Sequence, residues 1–114
     1  MPFIGSRVTV KLSEEKKEKL KSELGAIITD IPGKAEKFLM VGFEDNYSLY
    51  FGGEKLEYGA FIEVKVFGKV KKEYFHKVTE DICNLYENEL NIPKNKIYIK
   101  YEEVDNWGFN GYNF

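Results

Sequence analysis

Few side chains in this chain of 114 residues can make or break bonds, and their scarcity narrows the chemistry. There is one histidine, His76, and one cysteine, Cys83, so a zinc site built from several Cys and His ligands cannot be assembled within one chain. A Ser-His-Asp triad would have to use His76. That residue lies in Lys71-Lys72-Glu73-Tyr74-Phe75-His76-Lys77, which reads as the charged, solvated opening of a helix. Cys83 falls among Val78, Ile82 and Leu85 and reads as a small buried hydrophobe, not a reactive thiol. Gly52-Gly53 and Gly108-Phe109-Asn110-Gly111 lack the strand–loop–helix context of a phosphate or dinucleotide loop. One group remains. Initiator Met is usually removed when proline follows, which would leave Pro2 a free secondary amine. An α-amino group titrates at roughly 7.7–8.0, far below a lysine side chain. Burial among aromatics near a cation lowers it further, giving a neutral base at physiological pH without histidine.

Composition restricts the partners. Seventeen Lys+Arg against 19 Asp+Glu give a formal net charge of -2, which argues against a dedicated nucleic-acid binder. Hydrophobic residues at 43% and charged residues at 32% describe a globular chain of one domain, residues 1–114. No apolar run approaches the roughly 18 residues of a membrane span. Met1-Pro2-Phe3-Ile4-Gly5-Ser6-Arg7 lacks the basic-then-apolar layout of a signal peptide. A single cysteine fits a reducing compartment, so a cytoplasmic location is expected. Eight Tyr and nine Phe are too many for so short a chain to hide in its own core, and an aromatic-rich open face would not stay monomeric.

The elements that must position these residues come in two similar halves. Residues 3–12 alternate as a strand, with Val8, Val10 and Leu12 on one face and Arg7, Thr9 and Lys11 on the other. Ser13 is a helix N-cap followed by Glu14 and Glu15, and Leu20, Leu24, Ile27, Ile28 and Ile31 recur at helical spacing until Pro32-Gly33. Phe38–Phe43 is a nearly continuous apolar run, which predicts a strand covered on both faces. The second half repeats the order. Ala60, Ile62, Val64 and Val66 alternate, a helix carries Val78, Ile82, Leu85 and Leu90, and a strand follows Pro93 at Ile97–Tyr101. Two strand–helix–strand units predict an α/β (α+β) fold: a tandem βαβ repeat with a four-stranded sheet and two helices on one face. The open face would carry Phe3, Phe61, Phe67 and Tyr98. Residues 45–59 could supply a short edge strand between subunits, and the aromatic tail 105–114 could pack on a neighbour or on its own subunit.

End to end, the chain resembles macrophage migration inhibitory factor and its bacterial relatives in the tautomerase superfamily. The resemblance runs through Met1-Pro2-Phe3-Ile4, Gly33-Lys34 with Phe38-Leu39-Met40-Val41, and Phe51-Gly52-Gly53. It continues through Phe67-Gly68-Lys69-Val70, Leu90-Asn91-Ile92-Pro93 with Ile97-Tyr98-Ile99, and Trp107-Gly108-Phe109-Asn110-Gly111. The resemblance implies a homotrimer with active sites between neighbouring subunits and no cofactor or metal. It implies that Pro2 is the base for keto–enol tautomerisation of an aromatic α-keto acid such as phenylpyruvate, while the Phe67 ring would narrow the mouth against a substrate as large as dopachrome. Lys34 matches the substrate-binding lysine, where a cation holds the carboxylate and favours the enolate. Phe67 falls where a backbone N–H contacts substrate, and Tyr98 and Lys100 match positions contributed by the adjacent subunit. Phe38 and Phe109 stand where Tyr and Trp usually form an aromatic wall.

The departures also carry information. The family's Cys-Ala-Leu-Cys motif is replaced by Tyr58-Gly59-Ala60-Phe61, so no thiol–disulfide activity carries over. The common Ser-Ile-Gly is Val66-Phe67-Gly68, with one residue inserted before it, and Lys100 stands where many members have Asn. Two lysines near Pro2 would favour anionic substrates. Animal relatives also act as cytokine-like signals exported without a signal peptide, so a signalling or interaction protein with vestigial tautomerase activity is the second function class.

Overall fold

The computed structural model describes residues 1–114, in the order β1 (Pro2–Val8), α1 (Glu14–Ile27), β2 (Met40–Glu44), β3 (Tyr50–Phe51) and β4 (Glu54–Lys55). Then follow β5 (Ala60–Phe67), α2 (Lys72–Leu90), β6 (Ile97–Val104), β7 (Gly108–Phe109) and β8 (Tyr112–Asn113). The main sheet has the order β2-β1-β5-β6. Each βαβ half contributes a parallel pair, β1 with β2 and β5 with β6, and the halves join through antiparallel β1 and β5. This is the expected tandem repeat.

Alternation decides which face is dry. Ile4 and Val8 of β1 and Ile62, Val64 and Val66 of β5 are fully buried. They face Leu20, Leu24 and Ile28 from the first half and Val78, Ile82 and Tyr86 from α2 in one core cluster. Ser13 caps α1 as its sequence predicts, accepting the Lys16 N–H at 3.0 Å. The expected helical run through Ile31 ends sooner: α1 closes at Ile27 and a 3₁₀ turn over Ile28–Asp30 carries the apolar side chains onward. At the other helix end Asn91 takes the left-handed conformation (φ 58°), and its N–H returns to the Glu87 carbonyl.

Three further expectations are corrected. The first strand ends at Val8 instead of reaching residue 12. There the Asp45 carboxylate accepts the Leu12 N–H at 2.8 Å, while Asn46 and Tyr47 donate to the Val10 and Val8 carbonyls, so a loop replaces the ladder. The Phe38–Phe43 run is not covered on both faces. It becomes the edge strand β2, with Met40 69% exposed, because the sheet stops there and only one face meets a helix. The open face is also less aromatic than expected. Phe3, Phe61 and Tyr98 lie at its ends, while an ionic band crosses its middle. In that band Arg7 reaches Glu44 (3.5 Å) and Glu63 (3.3 Å), Lys65 reaches Glu63 (3.4 Å) and Lys100 reaches Glu102 (3.0 Å).

Residues 50–55 form a two-stranded hairpin of their own, β3 with β4. The tail forms another, β7 with β8, and lays Phe114 against Phe67 of the same chain at 5.8 Å between ring centres. No helix is long and apolar enough to cross a membrane.

The core holds one buried polar pair. Ser6, on the helix-facing side of β1, shares a 2.6 Å hydrogen bond with the hydroxyl of Tyr86 on α2. Burial pushes the Tyr86 phenol up to about 12. Ser6→Ala leaves that hydroxyl without a partner and should cost about 1–3 kcal/mol in urea unfolding, and adding Tyr86→Phe should recover most of the loss. An unchanged midpoint for the single variant would show that the pair contributes nothing.

Candidate active site

Pro2 opens β1 where a proline is tolerated, because the first strand position needs no N–H. It is buried and lies across from Val66. That register brings residue 1 beside the end of β5, where the Phe67 N–H donates to the Met1 carbonyl at 3.1 Å. Lys34 arrives from a separate element. After the 3₁₀ turn, buried Ile31 anchors the chain, and the Lys34 N–H donates to the Ile31 carbonyl at 3.1 Å. The Lys34 ammonium then donates to the Phe67 carbonyl at 3.0 Å. One peptide residue thus ties the N-terminus to the lysine.

Gly68 completes the turn. Its φ of 92° is accessible to glycine at little cost, and it reverses the chain after Phe67 while its N–H donates to the Val104 carbonyl at 3.1 Å. The amine of Met1 is held below its ordinary value, first by burial and then by the positive charge of Lys34. An amine at this end of β1 is therefore biased toward its neutral, basic form.

The other sequence candidates divide into two groups. Phe38, 51% exposed, closes a short turn over Glu36–Phe38 just before Met40, which pairs with Phe3, so it stands at the Pro2 end of the sheet. Phe109, 52% exposed, lies in the tail hairpin that leaves β6 at that same end. Tyr98 and Lys100 do not join them. Tyr98 pairs with Phe61, five strand positions from Val66, which is about 17 Å along the sheet. Lys100 is ion-paired to Glu102, whose hydrogen bond raises the ammonium above its ordinary value. Its charge is already partnered within the chain.

Tyr98 instead packs on Phe51, ring centres 5.2 Å apart and planes tilted by 42°, and lines an apolar cavity of about 170 Å³ with Leu49, Leu56, Phe61 and Lys96. No group of three or more His, Cys, Asp or Glu is placed to hold a metal ion. His76 is exposed on α2, and Cys83 is half-buried, its thiol pushed up by burial.

Sequence reasoning missed three participants. Phe114 packs on Phe67 beside the Pro2 end; the aromatic richness of the tail was the only signal for it. Glu102 is visible in the sequence as the residue two beyond Lys100 on the same strand face, and alternation could have paired them. The Met1 carbonyl bond to Phe67 depends on the β1–β5 register and has no local signal.

The structure compares closely with solved proteins. Leishmania major MIF2 superposes with a TM-score of 0.92 at 31% identity, covering 100% of this chain and 97% of that one. The macrophage migration inhibitory factor homologue of Prochlorococcus marinus gives 0.82 at 29% identity, covering 98% of each. The Toxoplasma gondii macrophage migration inhibitory factor gives 0.89 at 23% identity, covering 98% and 99%, and speaks to the fold alone. A search of curated protein sequences gave no significant match. The family model for macrophage migration inhibitory factor matches residues 1–114. With the βαβ repeat, the N-terminal proline strand and the lysine beside it, this establishes that the chain belongs to the macrophage migration inhibitory factor family, on the tautomerase superfamily fold.

Proposed function

We propose that this protein is a tautomerase that interconverts the keto and enol forms of phenylpyruvate-like aromatic α-keto acids. The observation that carries the reading is the convergence of Pro2, Lys34 and Phe67 at one end of the β1–β5 pair. Removal of Met1 would do two things at once. It would expose the Pro2 nitrogen as a secondary amine, and it would release the Phe67 N–H from the Met1 carbonyl. The amine takes a proton from the carbon next to the substrate carbonyl. Lys34 holds the carboxylate and favours the enolate, and the freed N–H supplies a second donor. Returning the proton to oxygen gives the enol, and returning it to carbon gives the keto form. Burial and Lys34, which lower the Met1 amine, would act on the Pro2 amine in its place.

The site is completed in a homotrimer. Tyr98 lies too far from Pro2 in one chain to act on the same molecule, so a neighbouring subunit would contribute it, and Lys100 with it. Phe38, Phe109 and the ring of Phe67 form the aromatic wall. The protein would be cytoplasmic.

Intact mass of the protein expressed without a tag should show loss of Met1, and that material should ketonise enol-phenylpyruvate. Pro2→Gly should slow turnover by about 10²–10⁴-fold while the trimer persists in gel filtration, since a positioned general base contributes that much. Full activity in that variant, or in protein retaining Met1, would overturn the role of Pro2.

Lys34→Met should raise KM for phenylpyruvate by about ten- to a hundredfold, the equivalent of one lost charge-assisted hydrogen bond. The acidic limb of its pH–rate profile should move to higher pH, because losing the cation lets the amine hold its proton more firmly. A limb that stays in place would separate Lys34 from the amine.

A further inference from the structure

The turn that carries Lys34 rests on an unusual pair of acids. Asp30 closes the 3₁₀ turn after α1, four residues before Lys34. Its Oδ2 is buried with no N–H or O–H from elsewhere to satisfy it. The turn packs on α2, and the carboxyl lies beside that of Asp81 there, close enough for each to act on the other's proton. Two carboxylates cannot share such a contact without cost, but a carboxylic acid and a carboxylate can, through one proton between them. We propose that Asp30 and Asp81 form a proton-sharing pair that positions the Lys34 turn against α2 and loosens it when the proton is lost. The inference rests on the reading of Lys34 as the substrate's cation.

The surroundings favour a single proton on the pair. On α2, Lys77 donates to Asp81 at 3.1 Å and also reaches Glu80 at 3.9 Å. From α1, Glu23, paired to Lys19 at 3.6 Å, lines the same depression as Asp81. The only cation among these that contacts the pair is therefore on the Asp81 side, and Asp30 is left to hold the proton. In agreement, burial first, then Asp81, pushes the Asp30 carboxyl up to about 6, while the hydrogen bond from Asp30 and the Lys77 charge hold Asp81 below its ordinary value.

The signs of the two contributions are opposite. A raised acid stabilises the fold fully below its unfolded value and loses that contribution as pH rises through about 6. Asp81, being lowered, contributes above its unfolded value and loses this as pH falls through its depressed one. One proton stays on the pair between the lowered Asp81 value and about 6, so the clamp holds there, its Asp30 contribution weakening as pH rises through that window, and it opens toward neutral pH.

The effect on Lys34 is direct in the chain. Two backbone bonds, Ile31 N–H to the Ile28 carbonyl and Lys34 N–H to the Ile31 carbonyl, run from the clamped turn to the lysine. If Asp30 leaves α2, both bonds lose their support, and the ammonium loses its aim at the Phe67 carbonyl.

Carboxyl carbon-13 NMR titration of the intact protein, with hydrogen exchange at the Ile31 and Lys34 amides, tests the clamp without any substrate. Asp30 should titrate well above the ordinary carboxylate range, with Asp81 responding in the same step. Protection of the two amides, corrected for intrinsic exchange, should fall about threefold or more between about pH 5 and about pH 7.5. In Asp30→Asn an amide N–H replaces the shared proton, so protection should stay high across the interval; if that variant does not fold, Asp81→Asn gives the same comparison. Ordinary titration of both carboxyls, or the same fall in the amide variant, would overturn the proposal. The KM for phenylpyruvate, taken relative to the Asp30→Asn variant, should rise over that interval with the ratio of kcat values flat. Absence of turnover in both proteins would count against the reading of the site and leave the NMR result to decide the clamp.

Discussion

Everything at the Pro2 end depends on the antiparallel pairing of β1 with β5. It is the only junction between the two βαβ halves in the sheet, and it puts both strands in the interior, where each has a partner on either side. Its register sets Pro2 against Val66 and so places the N-terminus beside the last residue of β5. A slip of one residue would turn either Ile4 and Val8 or Ile62, Val64 and Val66 from the helices toward water, depending on which strand moved. Burying each of those side chains stabilises the fold by about 1.5–3 kcal/mol, so the register is held far more firmly than any single polar contact at the site could hold it.

Held in this way, Phe67 becomes a hub. Its N–H and its carbonyl point to two different segments, residue 1 and Lys34, and Gly68 turns the chain away immediately afterward. Backbone groups suit the purpose because they carry fixed dipoles on a rigid strand end and lose no side-chain entropy on binding. The Phe67 ring takes no part in these two bonds and meets Phe114 instead.

Net charge says little about this arrangement. The chain carries -2 overall, yet the Pro2 end holds the Lys34 cation, whereas Lys100 is ion-paired with Glu102 further along the sheet. Alternation along β6 puts Lys100 and Glu102 on the same face, and at 3.0 Å their attraction is the nearest electrostatic influence on either group. The open face follows the same rule, since its central acids and bases alternate across all four strands.

Much of this was legible in the residues themselves. The period-two runs around Ile4 and Ile62, the Ser13 cap and the helical spacing of Val78, Ile82 and Leu85 are local signals, and each produced the expected element because the core demands that pattern. The resemblance added Pro2, Lys34 and Phe67 as a group, and these three converge. What the sequence could not determine was set by distance across the fold. Whether Phe38–Phe43 lay at a sheet centre or edge, where the tail folded, which acid faced Asp30 and which held Lys100, and how far Tyr98 stood from Pro2 all depend on strand order and register. Local patterning specifies each element, because a side chain's own face follows from its neighbours in the chain. Only the tertiary structure decides which elements meet, because that choice minimises exposed apolar surface over the whole molecule at once.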